Sequence, residues 1–466
     1  MRLDWLLERF AGASATLAFV HDDRAVSYDD LCTLVSSFER LLKERGVCGA
    51  ERVTILGDYT PEAYALVLAL ARNGNIVIPL TRESVVELAT ALEISGCDWI
   101  LEFENGSTQP TLTRREVSTT NTMLRDFIAT GAAGLVFFSS GSTGKPKGIL
   151  HDLERVASKF VKPRAPVVAI PFLMFDHFGG FNTILAITSS LGTVVSVPER
   201  SVARICSAIE KYRVTLLPTT PSFLNLLMAS KANESFDLSS LRRITYGTEV
   251  MPQATLDRLS KALPGVVMQQ TYGLSEVGVL ASKSRPDGSL WMQIGGDGFQ
   301  TKVVDGILWI KSKFSMVGYL NAPQGFDADG WFNTQDKVEV DGEFFRILGR
   351  VTDLINVGGQ KVYPAEIEEV VMTVPNIVDV AVYAESNALL GQIIVARVAL
   401  AEPESVDSVK SRVRIACKAK LASFKVPTKV VISTDPLYTA RYKKSRQAEQ
   451  SKGPSQAAQG NDLPRG

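Results

Sequence analysis

The sequence predicts an α/β protein: a large N-terminal domain of mainly parallel sheets flanked by helices, completed by a small β-barrel, and then a small C-terminal α+β domain. Three observations carry this. Short β-branched runs at 53–56, 76–78, 167–170, 194–197 and 214–217 alternate with helix-period segments. Near residue 295 the pattern changes to closely spaced strands, 301–304, 307–310, 337–340 and 343–347, with Asp341-Gly342 as a hairpin signal. Beyond Gly349-Arg350 a compact β/α section follows, and at 466 residues the chain is too long for one core.

The elements follow in order. The first ten residues mix charges with an apolar pattern and read as a short amphipathic helix, not a secretory signal. The most apolar stretch, 63–71, is too short to span a bilayer. Pro61 suits its first turn and Asn73-Gly74-Asn75 ends it, so it is a buried helix. Tyr363-Pro364 opens a helix with acids in its first turn. Strands at 377–383 and 392–400 and a helix at 408–421 complete the C-terminal part. The expected domains are 1–350, 351–450 and a disordered tail, 451–466, where composition is polar and rich in Gln, Gly and Ser.

Lys+Arg and Asp+Glu balance at 50 each, which argues against a dedicated nucleic-acid or anionic-membrane binder. Five cysteines are scattered with no CxxC pair or metal-ligand spacing. Reduced thiols in a cytoplasmic protein are expected.

The richest chemistry lies in the run 135–148. An apolar strand leads into Ser139, Ser140, Gly141, Ser142, Thr143, Gly144, Lys145, Pro146, Lys147 and Gly148. Hydroxyls, close-approaching glycine backbone and lysine charge suit a polyphosphate. The spacing is not that of the common nucleotide P-loop, and Pro146 disfavours a helix starting at Lys145. A loop clamping a triphosphate is expected. An ordinary surface turn would use the same residue types.

This run resembles the phosphate-binding signature of the adenylate-forming superfamily, which includes acyl- and aryl-CoA synthetases, nonribosomal peptide adenylation domains and firefly luciferase. Further matches follow in the family's order and cover nearly the whole chain. Gln270-Thr271-Tyr272-Gly273-Leu274-Ser275-Glu276-Val277-Gly278 is similar to the second nucleotide motif. It implies adenine stacking on Tyr272, an α-phosphate contact from Ser275 and Mg²⁺ on Glu276, with Gly278 near the acyl group. Gly247, Thr248 and Glu249 resemble a loop beside adenine. Asp336 resembles the aspartate that binds ribose hydroxyls, with Gln335 where the family commonly has glycine. Arg350 follows as a ribose or phosphate contact. Thr352 and Asp353 match the family's hinge, and Gly358-Gly359 its pantetheine-tunnel loop. Lys443 matches the catalytic lysine, with Lys444 as the alternate and Tyr442 where glycine is usual. His177 and Phe178 resemble the acyl pocket of CoA synthetases. Asp176 is the alternate, which would hold the ammonium group of an amino-acid substrate.

The resemblance implies ATP, Mg²⁺ and coenzyme A as cofactors and a small carboxylic acid as substrate. A phosphopantetheine carrier protein could replace coenzyme A. A nucleotide-binding protein that has lost catalysis is the reading from a different class, prompted by Gln335 and Tyr442.

Overall fold

The computed structural model describes residues 2–84, 86–104, 106–117, 121–140, 145–387, 391–439 and 441–446. The phosphate-loop residues Gly141, Ser142, Thr143 and Gly144 and the tail 451–466 lie outside this set. The chain divides into two compact units. The first runs to Asp353 and also takes in Tyr438–Lys443; the second holds Leu354–Leu437 and the residues from Lys444 onward.

Two seven-stranded sheets form the frame of the first unit. In one, Val267–Gln270, Arg243–Tyr246, Leu216–Thr219, Val168–Ala169, Thr193–Ser196 and Leu17–His21 are parallel neighbours, and Arg24–Ser27 adds an antiparallel edge. In the other, Gly134–Ser140, Ile76–Leu80, Arg52–Leu56 and Trp99–Glu102 are parallel, with antiparallel strands outside them. Buried on both faces, the central strands bury every residue rather than alternate ones, as Arg52–Leu56 and Ile76–Leu80 illustrate.

Helix Pro61–Asn73 lies in this core with its apolar residues inaccessible. Thr60 caps its N-terminus, Pro61 occupies the first turn, and Gly74 ends it at φ 86° in the left-handed region. The strand expected at 214–217 forms two residues later, at Leu216–Thr219. Val214 and Thr215 lead into it, and Thr215 instead bonds Val168 through backbone and hydroxyl.

The β-rich stretch after residue 280 is a six-stranded antiparallel sheet. Its strands Phe332–Asp341 and Phe344–Arg350 turn at Gly342, where φ is 59°. Their register sets Asp336 opposite Arg350.

The second unit carries a five-stranded sheet with helices Pro364–Val371 and Val406–Lys420. Strands Ile355–Val357 and Gln360–Val362 meet in a two-residue hairpin at Gly358-Gly359. Both glycines have positive φ, 55° and 87°, as the tight primed turn requires. Among the described residues no helix is long and apolar enough to cross a membrane. All five cysteines are free.

Candidate active site

Parallel strands end on one side of their sheet, and that edge is where α/β folds place ligands. In the first unit, strands Leu216–Thr219, Arg243–Tyr246 and Val267–Gln270 deliver Thr219, Gly247, Thr248, Thr271 and Tyr272 to a cleft of about 1230 Å³. Ser139, Lys147, Ser275, Glu276, Arg350 and Lys443 line the same cleft. Residues from motifs spread between 139 and 443 therefore converge. Among the described residues its charged lining is Lys147, Lys159, Arg164, Arg242, Arg243, Arg350, Arg441 and Lys443 against the carboxylate of Glu276. In a chain of balanced charge, this concentrates positive potential where a polyanion would sit.

The phosphate loop joins two antiparallel strands, Gly134–Ser140 and Pro146–Asp152, with Ser140 opposite Pro146. Pro146 begins the second of these strands. Ser139 and Lys147 face one another across the strand pair. The Lys147 ammonium lies 5.1 Å from the ring centre of Tyr319. The Tyr319 hydroxyl donates to Glu276 Oε1 at 2.7 Å. Burial, then Glu276, push the Tyr319 pKa up.

Tyr272 and Asp336 form a buried knot that no local motif announces. The Tyr272 hydroxyl donates to Asp336 Oδ2 at 2.5 Å, and Arg350 Nε donates to Asp336 Oδ1 at 3.1 Å. Burial pushes the Asp336 pKa up, while Arg350 and Tyr272 oppose that shift. Burial and the neighbouring carboxylate raise Tyr272 well above the usual phenol range. The Tyr272 ring lines the cleft while its hydroxyl is anchored behind it.

Gln335 stands at φ 60° and Tyr442 at φ 52°. Both hold the left-handed backbone that glycine adopts most easily. At both positions the chain takes a turn that glycine accommodates without strain. Gln335 is supported by its N–H donating to Asn333 Oδ1 at 2.9 Å. Tyr442 is supported by packing: its ring lies 5.3 Å from Phe172, 5.4 Å from Phe223 and 5.1 Å from Tyr438. Its hydroxyl donates to the Arg200 carbonyl at 2.6 Å, and its carbonyl accepts from Thr220 Oγ1 at 2.8 Å.

The adjacent lysines part company. Lys443 lines the cleft, and burial lowers its pKa. Lys444 belongs to the second unit and lies 3.5 Å from Asp379 and 3.8 Å from Glu368, both buried. Burial alone would raise Glu368, yet Lys444 and Arg446 hold it near 2.

His177 and Phe178 line the cleft at the start of helix Phe178–Ser189. His177 Nδ1 accepts from the Gly179 N–H at 3.0 Å, so the neutral ring carries its proton on Nε2. Burial, then Lys443 and Arg441, lower its pKa well below the ordinary value.

Several expected site residues lie off the cleft. Asp336 is one: it is buried behind the wall, with Oδ2 accepting from Tyr272 and Oδ1 from Arg350. Asp176 is buried off the cleft lining; its Oδ2 pairs with Arg441 and accepts from Ser84 Oγ at 2.5 Å, while Oδ1 has no hydrogen-bond partner among the described residues. Gln270 is buried behind the wall; Gln269 and Thr271 line it instead, because side chains alternate along a strand. Glu249 accepts from Ser222 Oγ at 2.7 Å outside the lining, although its charge is felt by Lys443. Gly247 makes a close approach, since a Cβ there would lie 2.6 Å from Thr271 Oγ1. Gly273 pairs with Val279 and Leu274 with Gly278 in a small antiparallel turn. Thr352 lines the cleft, and Asp353 ends the first unit. Gly358 and Gly359 are in the second unit. Arg441 and Lys159, both on the cleft wall, were not singled out from sequence; isolated basic residues carry no local signature.

The AMP-binding enzyme family model matches residues 6–320, and the model of the AMP-binding enzyme C-terminal domain matches residues 366–442. Indoleacetate–CoA ligase of Aromatoleum aromaticum is 28% identical, over 92% of this chain and 94% of the relative. 2-Succinylbenzoate–CoA ligase of Bacillus cytotoxicus is 26% identical over the same shares. Among solved structures, the anthranilate CoA ligase AuaEII in complex with anthranoyl-AMP has the same fold, with a TM-score of 0.81, 20% identity and 95% of each chain covered. Matched by family models over most of its length, the chain belongs to the AMP-binding enzymes.

Proposed function

We propose that the protein is an AMP-forming acid–thiol ligase that activates a carboxylic acid with ATP and passes the acyl group to coenzyme A. The observation that carries this is the convergence of Lys147, Glu276, Arg350 and Lys443 on one cleft, with the Asp336 knot behind it. The CoA-ligase names of its relatives support the same reading.

In the first half-reaction the acid's carboxylate attacks the α-phosphorus of ATP and pyrophosphate leaves. Charge builds on the phosphates, and fixed cations are the main means of stabilising it. Lys147 and Lys443 supply positive charge, and Ser139 and Ser275 supply hydroxyl donors. Asp336 lies behind the Tyr272 wall with each oxygen already accepting one hydrogen bond, and the second lone pair on each is what a ribose hydroxyl would use. Glu276 fits a hard divalent cation of the Mg²⁺ type. One oxygen accepts from Tyr319, the other has no protein partner among the described residues, and such a cation uses one or two carboxylates plus phosphate oxygens. Bound there, it would neutralise phosphate charge. Among the described residues no cluster of three ligating side chains suggests another metal site.

In the second half-reaction a thiolate attacks the acyl carbonyl and AMP leaves. The acceptor is coenzyme A in this reading; a carrier protein's phosphopantetheine ends in the same thiol. The position of Asp176 off the cleft lining, with Oδ2 paired to Arg441, speaks against its holding a substrate ammonium. Loss of free thiol and release of AMP, both dependent on acid and ATP, test the whole reaction. Release of AMP with no loss of free thiol would rule out the second step.

Two further outcomes are expected. The turn Val351–Asp353 lies at the unit boundary and acts as the pivot between half-reactions. Thr352→Pro fixes φ near −65° and should impair one half-reaction far more than the other; full retention of both rates would remove the pivot. Tyr442→Gly frees the backbone and deletes the aromatic packing, so the lysine beside it loses its position. Pyrophosphate exchange should fall roughly tenfold or more, as misplacement of a reacting group does. An unchanged rate would show that Tyr442 does not position Lys443.

A further inference from the structure

Lys159 closes helix Leu153–Ser158 as its C-cap residue and lines the cleft beside helix Phe178–Ser189. Its ammonium donates to the Val279 carbonyl and, at 3.4 Å, to Asn182 Oδ1. The rings of Phe160 and Phe299 stand 5.5 and 5.7 Å away. An ammonium group has three N–H donors, and these contacts use two. Among the described residues no carboxylate pairs with it. Arg164, on the same cleft, adds a second positive charge. Burial, then Arg164, lower the Lys159 pKa to about 8, so the group stays charged at neutral pH.

A half-buried cation with no counter-charge is costly unless a ligand supplies one. The adenylation chemistry assigned above does not use Lys159, since its contacts are with the wall formed by Asn182 and Val279 next to His177 and Phe178. We infer that Lys159 is a specificity-determining residue that receives a second carboxylate, so that the preferred substrate is a dicarboxylic acid activated at one end and held at the other. The inference rests on the ligase reading of the same cleft.

The test is acid-dependent ATP–pyrophosphate exchange with straight-chain diacids and monoacids of equal length, read as the ratio of their kcat/KM values. The ratio for the best diacid should favour it roughly 10-fold or more, the scale of one charge-assisted hydrogen bond. Lys159→Met should collapse that ratio, mainly through KM of the diacid, and Lys159→Arg should restore most of it. A wild-type ratio at or below one, or the same ratio in Lys159→Met, overturns the inference while leaving the ligase reading intact. Absence of exchange with every acid overturns the ligase reading and this inference with it.

Discussion

Lys443→Ala should abolish adenylate formation yet spare thioester formation from a supplied acyl-adenylate. The lysine is needed while charge accumulates on the departing pyrophosphate and has no counterpart in the thiol step. Removing one preorganised charge-stabilising group costs about 10²–10³ in rate. Lys444→Ala should behave differently. Lys444 sits against the buried carboxylates of Glu368 and Asp379, and stripping a partner from a buried charge cluster costs about 3–5 kcal/mol of stability. A lower melting temperature with no selective half-reaction defect is expected. Equal loss of both half-reactions in Lys443→Ala would show the residue misassigned, and a selective defect in Lys444→Ala would move the role one residue on.

Asp336→Ala should weaken ATP binding by about 1.5–3 kcal/mol, the range for hydrogen bonds to a charged group. The substitution also leaves Arg350 without its carboxylate and Tyr272 without its acceptor, so the loss falls at or above the upper end of that range. The sheet should persist, because the strand pairing of Phe332–Asp341 with Phe344–Arg350 is a backbone feature. Titration calorimetry with ATP measures the change. Wild-type affinity would remove Asp336 from the nucleotide site.

Local features of the fold were legible because their causes are local. Pro61 and Gly74 bracket a helix by backbone geometry, Asp341-Gly342 turns a hairpin, and Pro364 starts a helix. What depends on contacts distant in sequence was not. The Tyr272–Asp336 bond spans 64 positions, and the pairing of Arg441 with Asp176 spans 265. No periodicity encodes either. Gln270 shows a smaller limit: a motif marks a segment, but strand alternation decides which neighbour faces the cleft. Gln335 and Tyr442 show the converse. Their side chains depart from glycine while their backbones do not, so residue identity alone overstated the difference.

On this mechanism the cleft joins a carboxylic acid to the α-phosphate of ATP. Incorporation of labelled pyrophosphate into ATP, measured without any thiol across fatty, aryl, dicarboxylic and amino acids, tests it most directly. Exchange should depend on a non-amino carboxylic acid and disappear in Lys443→Ala. Tight ATP binding with no acid-dependent exchange across the panel, or exchange supported by amino acids alone, would contradict it.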